Sequence, residues 1–308
     1  MKKPTLIVIT GPTASGKSAL AVSLAESLQT EIISADSRQI YKGIPISTAV
    51  PTEEEKRGIR HHLLEILPLD AYYSAAKFAE ETYDLTTSLF KNKETVIICG
   101  GSMLYLDSLL YGIDELPTVP PAIRESQMKL WKTNGDVWLL DRLKELDPLF
   151  YHKVDKNNLK RVFHAVEVSI TANAPYSSLL TKGNKEKIKE LPFKVIKFCL
   201  TGEREILFRK INDRVLNMIK NGLEKEAQKV YPLKHLNSLN TVGLKEMFQM
   251  IEGKLGREEA IARIQKNTRV YAKKQLTWHK RDQNLVYLDF DDTMNHNINK
   301  ILELIQKS

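Results

Sequence analysis

Eight consecutive residues, Gly11-Pro12-Thr13-Ala14-Ser15-Gly16-Lys17-Ser18, fit the pattern G-x-x-x-x-G-K-[ST] at every fixed position. Glycines in such a loop let backbone N–H groups turn inward, so loop and following helix N-terminus offer a ring of donors to phosphate oxygens. Lys17 adds a positive charge on a mobile stem, and Ser18 the hydroxyl that ligates Mg²⁺ beside a phosphate. The motif follows the apolar run Leu6 to Ile9 and opens a helical pattern, the context that separates it from a plain strand-to-helix turn. It does not settle the chemistry. A kinase or NTPase carries an Asp at the tip of a later strand to help hold Mg²⁺. Here the run Thr95 to Cys99 ends in Cys99-Gly100-Gly101-Ser102, with no carboxylate. A plain NTPase is thereby disfavoured, and a small-molecule kinase stays open as the alternative.

The nearest candidate acid is Asp36, just beyond the apolar run that starts at Glu31. In a parallel sheet the carboxyl ends of adjacent strands share one edge, where ligands sit, so Asp36 is expected beside the phosphate loop. An acid there can take a proton from a nucleophile directed at the phosphorylated ligand. The same residue, or Ser37, could instead cap the next helix.

These side chains need a scaffold, and the pattern supplies one. Thr5 to Thr10, Glu31 to Ala35 and Thr95 to Cys99 read as buried strands, Lys17 to Leu28 as a helix. Such alternation predicts an α/β fold, a phosphate-loop parallel sheet flanked by helices. A later apolar run, Lys194 to Leu200, completes the sheet and makes the intervening segment an insertion. The predicted division is residues 1–118 as the first part of the core, 119–190 as an inserted all-helical domain, and 191–308 as the second part. The insertion begins after Leu116-Pro117 and Pro120-Pro121, shows helical patterning at Trp131 to Leu143 and Asn158 to Ile170, and ends near the lysine-rich Lys182 to Lys189. Helices are predicted at Arg204 to Asn221, Leu223 to Val230 and Arg257 to Lys280.

Charge separates the two halves. Residues 1–118 hold 11 basic and 15 acidic side chains, whereas the rest holds 35 and 23, so the net +8 belongs to the later segments. A polyanion such as nucleic acid is the partner this suggests. Apolar runs are far too short to cross a bilayer, and Met-Lys-Lys leads into too few apolar residues for a signal peptide, so a cytoplasmic location without membrane contact is expected. The two cysteines, Cys99 and Cys199, each lie in a strand-like run and read as buried thiols.

The chain resembles the tRNA dimethylallyltransferases, also called tRNA isopentenyltransferases. The resemblance rests on Gly11 to Ser18, Ser34-Ala-Asp-Ser-Arg-Gln-Ile-Tyr41, His61-His62-Leu63, Gly100-Gly-Ser-Met-Leu-Tyr105, Asp147-Pro148, Asn157 to Glu167, Val242-Gly-Leu-Lys-Glu246 and Thr268 to Trp278, in that order. It implies transfer of a dimethylallyl group from dimethylallyl diphosphate to the exocyclic amine of adenosine 37 beside the tRNA anticodon, releasing diphosphate. The loop Gly11 to Ser18 would then hold the leaving group rather than ATP, which accounts for the missing acidic strand tip. Asp36 matches the family's general base. Lys17, Mg²⁺ on Ser18, and Arg214 would stabilise charge growing on the diphosphate. Thr13 and Ser102 would help close the site, Ser102 standing where Thr is usual.

For the tRNA anticodon stem-loop the resemblance implies contacts from Asp36, Ser37, Arg38, Gln39 and Ser102, with Arg124, Arg161 and Lys245 in further tRNA-facing stretches, and a monomeric enzyme. The segment Arg257 to Arg281 has eight basic and two acidic residues. Lys266, Arg269 and Lys273 fall on one helical face, available for phosphate, while Ile264, Tyr271 and Trp278 repeat every seven and are expected to pack inward. His164, Leu244, Val270, Lys274 and His279 depart from the usual Arg, Tyr, Gln, Arg and Phe. His61 and His62 lack metal-ligand spacing, so packing or hydrogen bonding is expected of them.

Overall fold

Six parallel strands form one sheet in the order β3-β2-β4-β1-β5-β6. The structure is a computed structural model describing residues 3–114, 116–180 and 190–307. The Lys182 to Lys189 loop lies outside the described residues. In chain order the first part runs β1 (Thr5–Thr10), α1 (Lys17–Leu28), β2 (Ile32–Ser34), α2 (Pro45–Thr48), α3 (Glu53–Lys56), β3 (His61–His62), α4 (Ala75–Leu89), β4 (Thr95–Cys99) and α5 (Met103–Tyr111). Next come α6 (Pro121–Leu146), α7 (Pro148–Lys153), α8 (Leu159–Ala172) and α9 (Tyr176–Leu179). The last part holds β5 (Lys194–Thr201), α10 (Arg204–Lys220), α11 (Leu223–Val230), α12 (Leu244–Ile251), α13 (Arg257–His279), β6 (Leu285–Asp289) and α14 (Met294–Gln306).

The α/β class expected from the alternation is the class found. Every residue of β1 is buried, as befits a central strand covered on both faces. Its register pairs Ile7 with Ile97 on one side and with Ile196 on the other. Leu20, Ala21, Leu24 and Ala25 of α1 pack on Ile7, Ile9, Ile97 and Phe198 in one apolar cluster. The later run therefore does join the sheet, and β6 extends it one strand further.

The described chain divides into two compact units, one built from residues up to Leu110 and again from Glu190 onward, the other from the residues between. Regular structure in the described part of the second unit is entirely helical. Its core gathers Leu139 and Leu143 of α6, Phe150 of α7, and Val162, Phe163 and Val166 of α8. Gly135 breaks the path of α6 at φ 81°, a conformation glycine adopts without strain. Buried Asp147 caps α7 through Phe150 N at 2.9 Å and takes the Ser177 hydroxyl at 2.9 Å, and Pro148 fills the first helical position, where no N–H is needed. No helix among the described residues is long and apolar enough to cross a membrane.

Candidate active site at the strand tips

Between β1 and α1 the chain makes a tight loop that only particular residues permit. A Cβ on Gly11 would sit 2.4 Å from the Leu200 carbonyl, and Gly16 precedes α1 at φ +91°. No side chain caps the N-terminus of α1 and its first turn carries no acid, so its free N–H groups and the positive end of its dipole face outward. The Ser15 hydroxyl is buried without a hydrogen-bond partner among the described residues. An orphaned donor beside free amides is chemistry that suits a bound anion. Lys17 donates from Nζ to the Pro12 carbonyl at 3.3 Å. Burial lowers the pKa of its ammonium, and the Arg214 charge lowers it further, while Asp36 is among the groups that oppose the shift.

Asp36 follows β2, and its placement rests on a close crossing with the tip of β4. A Cβ on Gly100 would fall 2.2 Å from the Ala35 carbonyl, so only glycine allows the two tips to meet. The Ala35 N–H donates to the Cys99 carbonyl at 2.8 Å, and Ser102 N donates back to Ala35 O at 3.1 Å. Oδ1 of Asp36 accepts from the Arg38 N–H at 2.9 Å and from the Gln39 N–H at 3.4 Å. No helix begins after Asp36, where residues 37–40 form a turn, so these bonds brace a turn rather than cap a helix, and Oδ2 makes no hydrogen bond among the described residues. Ser37 N donates to the Ser102 hydroxyl oxygen at 2.8 Å, which fixes the first residue after the acid.

Both loops open into one cavity of about 1380 Å³, lined by Lys17, Ser18, Asp36, Arg214, Tyr271 and Gln275 among others. Arg214 of α10 reaches the phosphate loop, its Nη1 donating to Thr13 Oγ1 at 3.2 Å. Burial lowers its pKa from the ordinary arginine value and the Asp36 charge opposes that, so a cation and an anion face the same space. Tyr271 is 39% exposed on the cavity wall, its hydroxyl pushed up to about 12 by burial and then by the Asp36 charge. Gln275, 1% exposed, accepts the Thr13 N–H at 2.9 Å and donates to the Gly101 carbonyl at 3.0 Å. It therefore ties the phosphate loop to the β4 tip. Among the described residues no group of three His, Cys, Asp or Glu is placed to hold a metal. Exposed Ser18 offers a hydroxyl oxygen at the mouth of the loop, a sparse donor set that suits an Mg²⁺ carried mainly by phosphate oxygens and water.

The IPP transferase family model matches residues 39–282, most of the chain. The chain belongs to the IPP transferase family. A tRNA dimethylallyltransferase of Parabacteroides distasonis is 44% identical over 289 residues, covering 94% of this chain and 95% of that protein. The tRNA isopentenylpyrophosphate transferase structure from Bacillus halodurans superposes with a TM-score of 0.72 at 31% identity, covering 99% of this chain and 96% of that one. A eukaryotic dimethylallyltransferase whose structure was captured acting on tRNA gives a TM-score of 0.78 at 25% identity, covering 94% and 74%. As a member, this chain is a transferase enzyme of tRNA modification.

Several residues anticipated as tRNA contacts in this IPP transferase are engaged by the protein itself. The Arg38 guanidinium donates to the carbonyls of Asn237 at 2.8 Å and Ser238 at 3.3 Å. Gln39 donates to Thr48 O at 3.1 Å and Ala49 O at 2.9 Å. Arg269 donates to Asn212 Oδ1, whereas Lys245, Lys266 and Lys273 are exposed, the last lying over the Phe208 ring. In the second unit, Arg124 makes a two-bond fork with Glu167, and Arg161 stacks on Phe150. The expected inward packing of Ile264, Tyr271 and Trp278 needs correction at Tyr271. The buried residues of α13 are Ala260, Ile264, Ala272, Gln275 and His279, whereas Tyr271, only about 20° around the helix from Ile264, looks into the cavity and so stays partly exposed. Trp278 donates from Nε1 to Asp107 at 3.3 Å. His62 meets Glu31 at 2.6 Å and His61 meets the Ile59 carbonyl at 2.9 Å, the hydrogen bonding expected of them. Gln275 and Glu226 lie outside every residue set that sequence patterning assigned a role; Gln275 stood inside the family-like stretch Thr268 to Trp278, but nothing local marked it as more than an exposed amide.

Proposed function

We propose that this chain transfers a dimethylallyl group from dimethylallyl diphosphate to the exocyclic amine of adenosine 37 in tRNA, releasing diphosphate. The observation that carries the reading is the sharing of one cavity by the Asp36 carboxylate, the phosphate loop and the Arg214 guanidinium. An aryl amine is a weak nucleophile, since its lone pair is delocalised into the ring. As the amine nitrogen bonds to C1 of the prenyl group, the C–O bond to diphosphate breaks and the amine proton passes to the free oxygen of Asp36. Charge accumulates on the leaving diphosphate, where the α1 amides, the Ser15 hydroxyl, Lys17 and Arg214 stabilise it. Mg²⁺, held by Ser18 and the diphosphate oxygens, would supply further neutralisation of that anion. Asp36 is kept in place by its own turn, so the acceptor is oriented before substrate arrives.

The base has to leave its stack to reach such a cavity, and Tyr271 offers an aromatic face for it there. Exposed Lys245, Lys266 and Lys273 are the residues of the first unit best suited to phosphate contacts, with Arg124 and Arg161 the candidates in the second. Transfer of label from dimethylallyl diphosphate to purified tRNA, with and without Mg²⁺, tests the reading. Asp36→Asn should lower kcat by about 10²–10⁴ while diphosphate inhibits as before. Undiminished transfer by that variant would remove Asp36 from the base role, and ATP-dependent phosphorylation without tRNA modification would favour a kinase.

A further inference from the structure

We infer that Glu226 is a positioning residue that sets the affinity for the prenyl diphosphate by holding one wall of the cavity; this rests on the prenyl-transfer reading above. Glu226 sits on α11, remote in sequence from both loops, and is 8% exposed. Its Oε2 accepts the Ile46 N–H and its Oε1 the Ser47 N–H, both at 2.8 Å. Among the described residues it makes no ion pair. A buried carboxylate without a cation is costly, and here its compensation is two charge-assisted hydrogen bonds to the backbone of the four-residue helix α2. So short a helix has little stability of its own. Its position is therefore set by what grips it.

The segment 45–57 that begins with α2 runs as a strap from α11 to α1. Beyond the Glu226 end, Gln39 holds the carbonyls of Thr48 and Ala49. At the far end Arg57 meets Glu26 of α1 at 3.0 Å in an exposed pair, which is the weaker anchor. Pro45, Ile46, Ala49 and Val50 of the strap line the same cavity as Val22 of α1 and Met218 of α10. These apolar groups share the cavity with the phosphate loop and offer a surface on which a short branched hydrocarbon attached to a diphosphate can rest. Gln39 also links the strap to the acid, since its N–H donates to Asp36 Oδ1. Releasing the Glu226 grip frees the strap on the side of the prenyl tail while the phosphate loop and Asp36 keep their own supports.

Steady-state kinetics of full-length Glu226→Gln against the wild type test this. An amide replaces one acceptor by a donor facing an N–H, so one of the two bonds is lost. The KM for dimethylallyl diphosphate should rise about tenfold, with kcat and the KM for tRNA each within about threefold. Val230→Ala, which trims the buried end of α11, should lower the melting temperature yet leave the KM for dimethylallyl diphosphate within about twofold. Equal KM values in Glu226→Gln and wild type, or a matching KM rise in Val230→Ala, would overturn the role. Hydrogen exchange on the wild type reads the same grip without any substitution: the Ile46 and Ser47 amides should be protected, and exchange as fast as an open loop would also overturn it. A wild-type enzyme that transfers no prenyl group would remove the reading on which this role depends, whereas normal wild-type transfer with an unchanged variant removes only the role.

Discussion

The side-chain amide of Gln275 stands between two turns, accepting the Thr13 N–H at 2.9 Å and donating to the Gly101 carbonyl at 3.0 Å. Thr13 in turn accepts from Arg214, and Ser102, next to Gly101, holds Ser37 beside the acid. One buried amide thereby connects the loop Gly11 to Ser18 with the tip of β4, against which the turn of Asp36 rests. Removing it strands a buried donor and a buried acceptor, each costing about 1–3 kcal/mol. Gln275→Met, similar in volume, should lower unfolding free energy by about 2–6 kcal/mol and kcat/KM by about 10². Gly101→Ala attacks the same link from the other side, since its Cβ would fall 2.4 Å from Gln275 Nε2. The double variant should be little worse than the worse single one, and additive losses in kcat/KM would show that the two do not act through one bond.

Arg214 gives a sharper expectation about chemistry. Its guanidinium, partly buried on the cavity wall, is held by Thr13 on one side and the field of Asp36 on the other. A lysine there keeps the charge but has neither the planar fork nor the reach to serve Thr13 and a diphosphate oxygen together. Arg214→Lys should cut kcat about 10–10³-fold, while tRNA affinity measured by filter binding changes little. A loss confined to tRNA affinity would place Arg214 outside the leaving-group site.

In the second unit, Glu167 of α8 is 2% exposed and accepts Arg124 at 2.8 and 2.6 Å and His164 at 3.0 Å. Burial alone would raise its pKa, but the hydrogen bonds from Arg124 and His164 pull the carboxyl below its usual range. His164 stands where the family resemblance has Arg, and the shared carboxylate explains how an imidazole fits there. Arg124→Ala leaves the buried acid short of its main partner; because the guanidinium is half exposed, the cost is about 1–2 kcal/mol rather than that of a fully buried pair. Chemical denaturation should detect it, with Glu167→Gln,Arg124→Ala less than additive. If Arg124 also touches tRNA, its removal lowers the salt slope of tRNA binding by about 1, and an unchanged slope limits it to the Glu167 pair.

The parts of this protein that sequence reveals are those whose cause is local. β1, β4, α1 and α11 follow from unbroken apolar runs or helical spacing, and the phosphate loop from glycines that the backbone there requires. β3 has two residues, both histidine, and is a strand only because β2 offers it an edge. β6 continues the sheet beyond β5, yet its polar residues Tyr287 and Asp289 hide that role in the sequence. The same distinction runs through the site. Lys17 and Asp36 are fixed by neighbours in the chain, whereas Gln275 meets Thr13 across 262 positions and Glu226 meets Ile46 across 180. Such partners carry no periodicity to read. Tyr271 shares the face of Ile264, and its exposure comes from the cavity that this face lines, which no spacing in the sequence announces.

His279 makes acid sensitivity a testable property of this chain. It is buried, its Nε2 lies 3.3 Å from Thr10 Oγ1, and it occupies a position where the resemblance has Phe. Burial, and then the nearby Lys17 charge, push its pKa from 6.5 down to about 4. Above 6.5 the imidazole is neutral in both folded and unfolded chains and contributes no pH dependence. As pH falls from 6.5 toward 4, the unfolded chain takes up a proton that the folded chain refuses, so the unfolded state gains and stability falls; below about 4 both are protonated and the loss stops growing. Integrated over that window the loss is about 3 kcal/mol. Carboxylates also weaken the fold in acid, so the test is the difference between wild type and His279→Phe, which has no proton to bind. That difference in unfolding free energy should shift in favour of the variant by about 3 kcal/mol between pH 7 and pH 4, and a constant difference would mean that the imidazole titrates in the folded protein as it does in water.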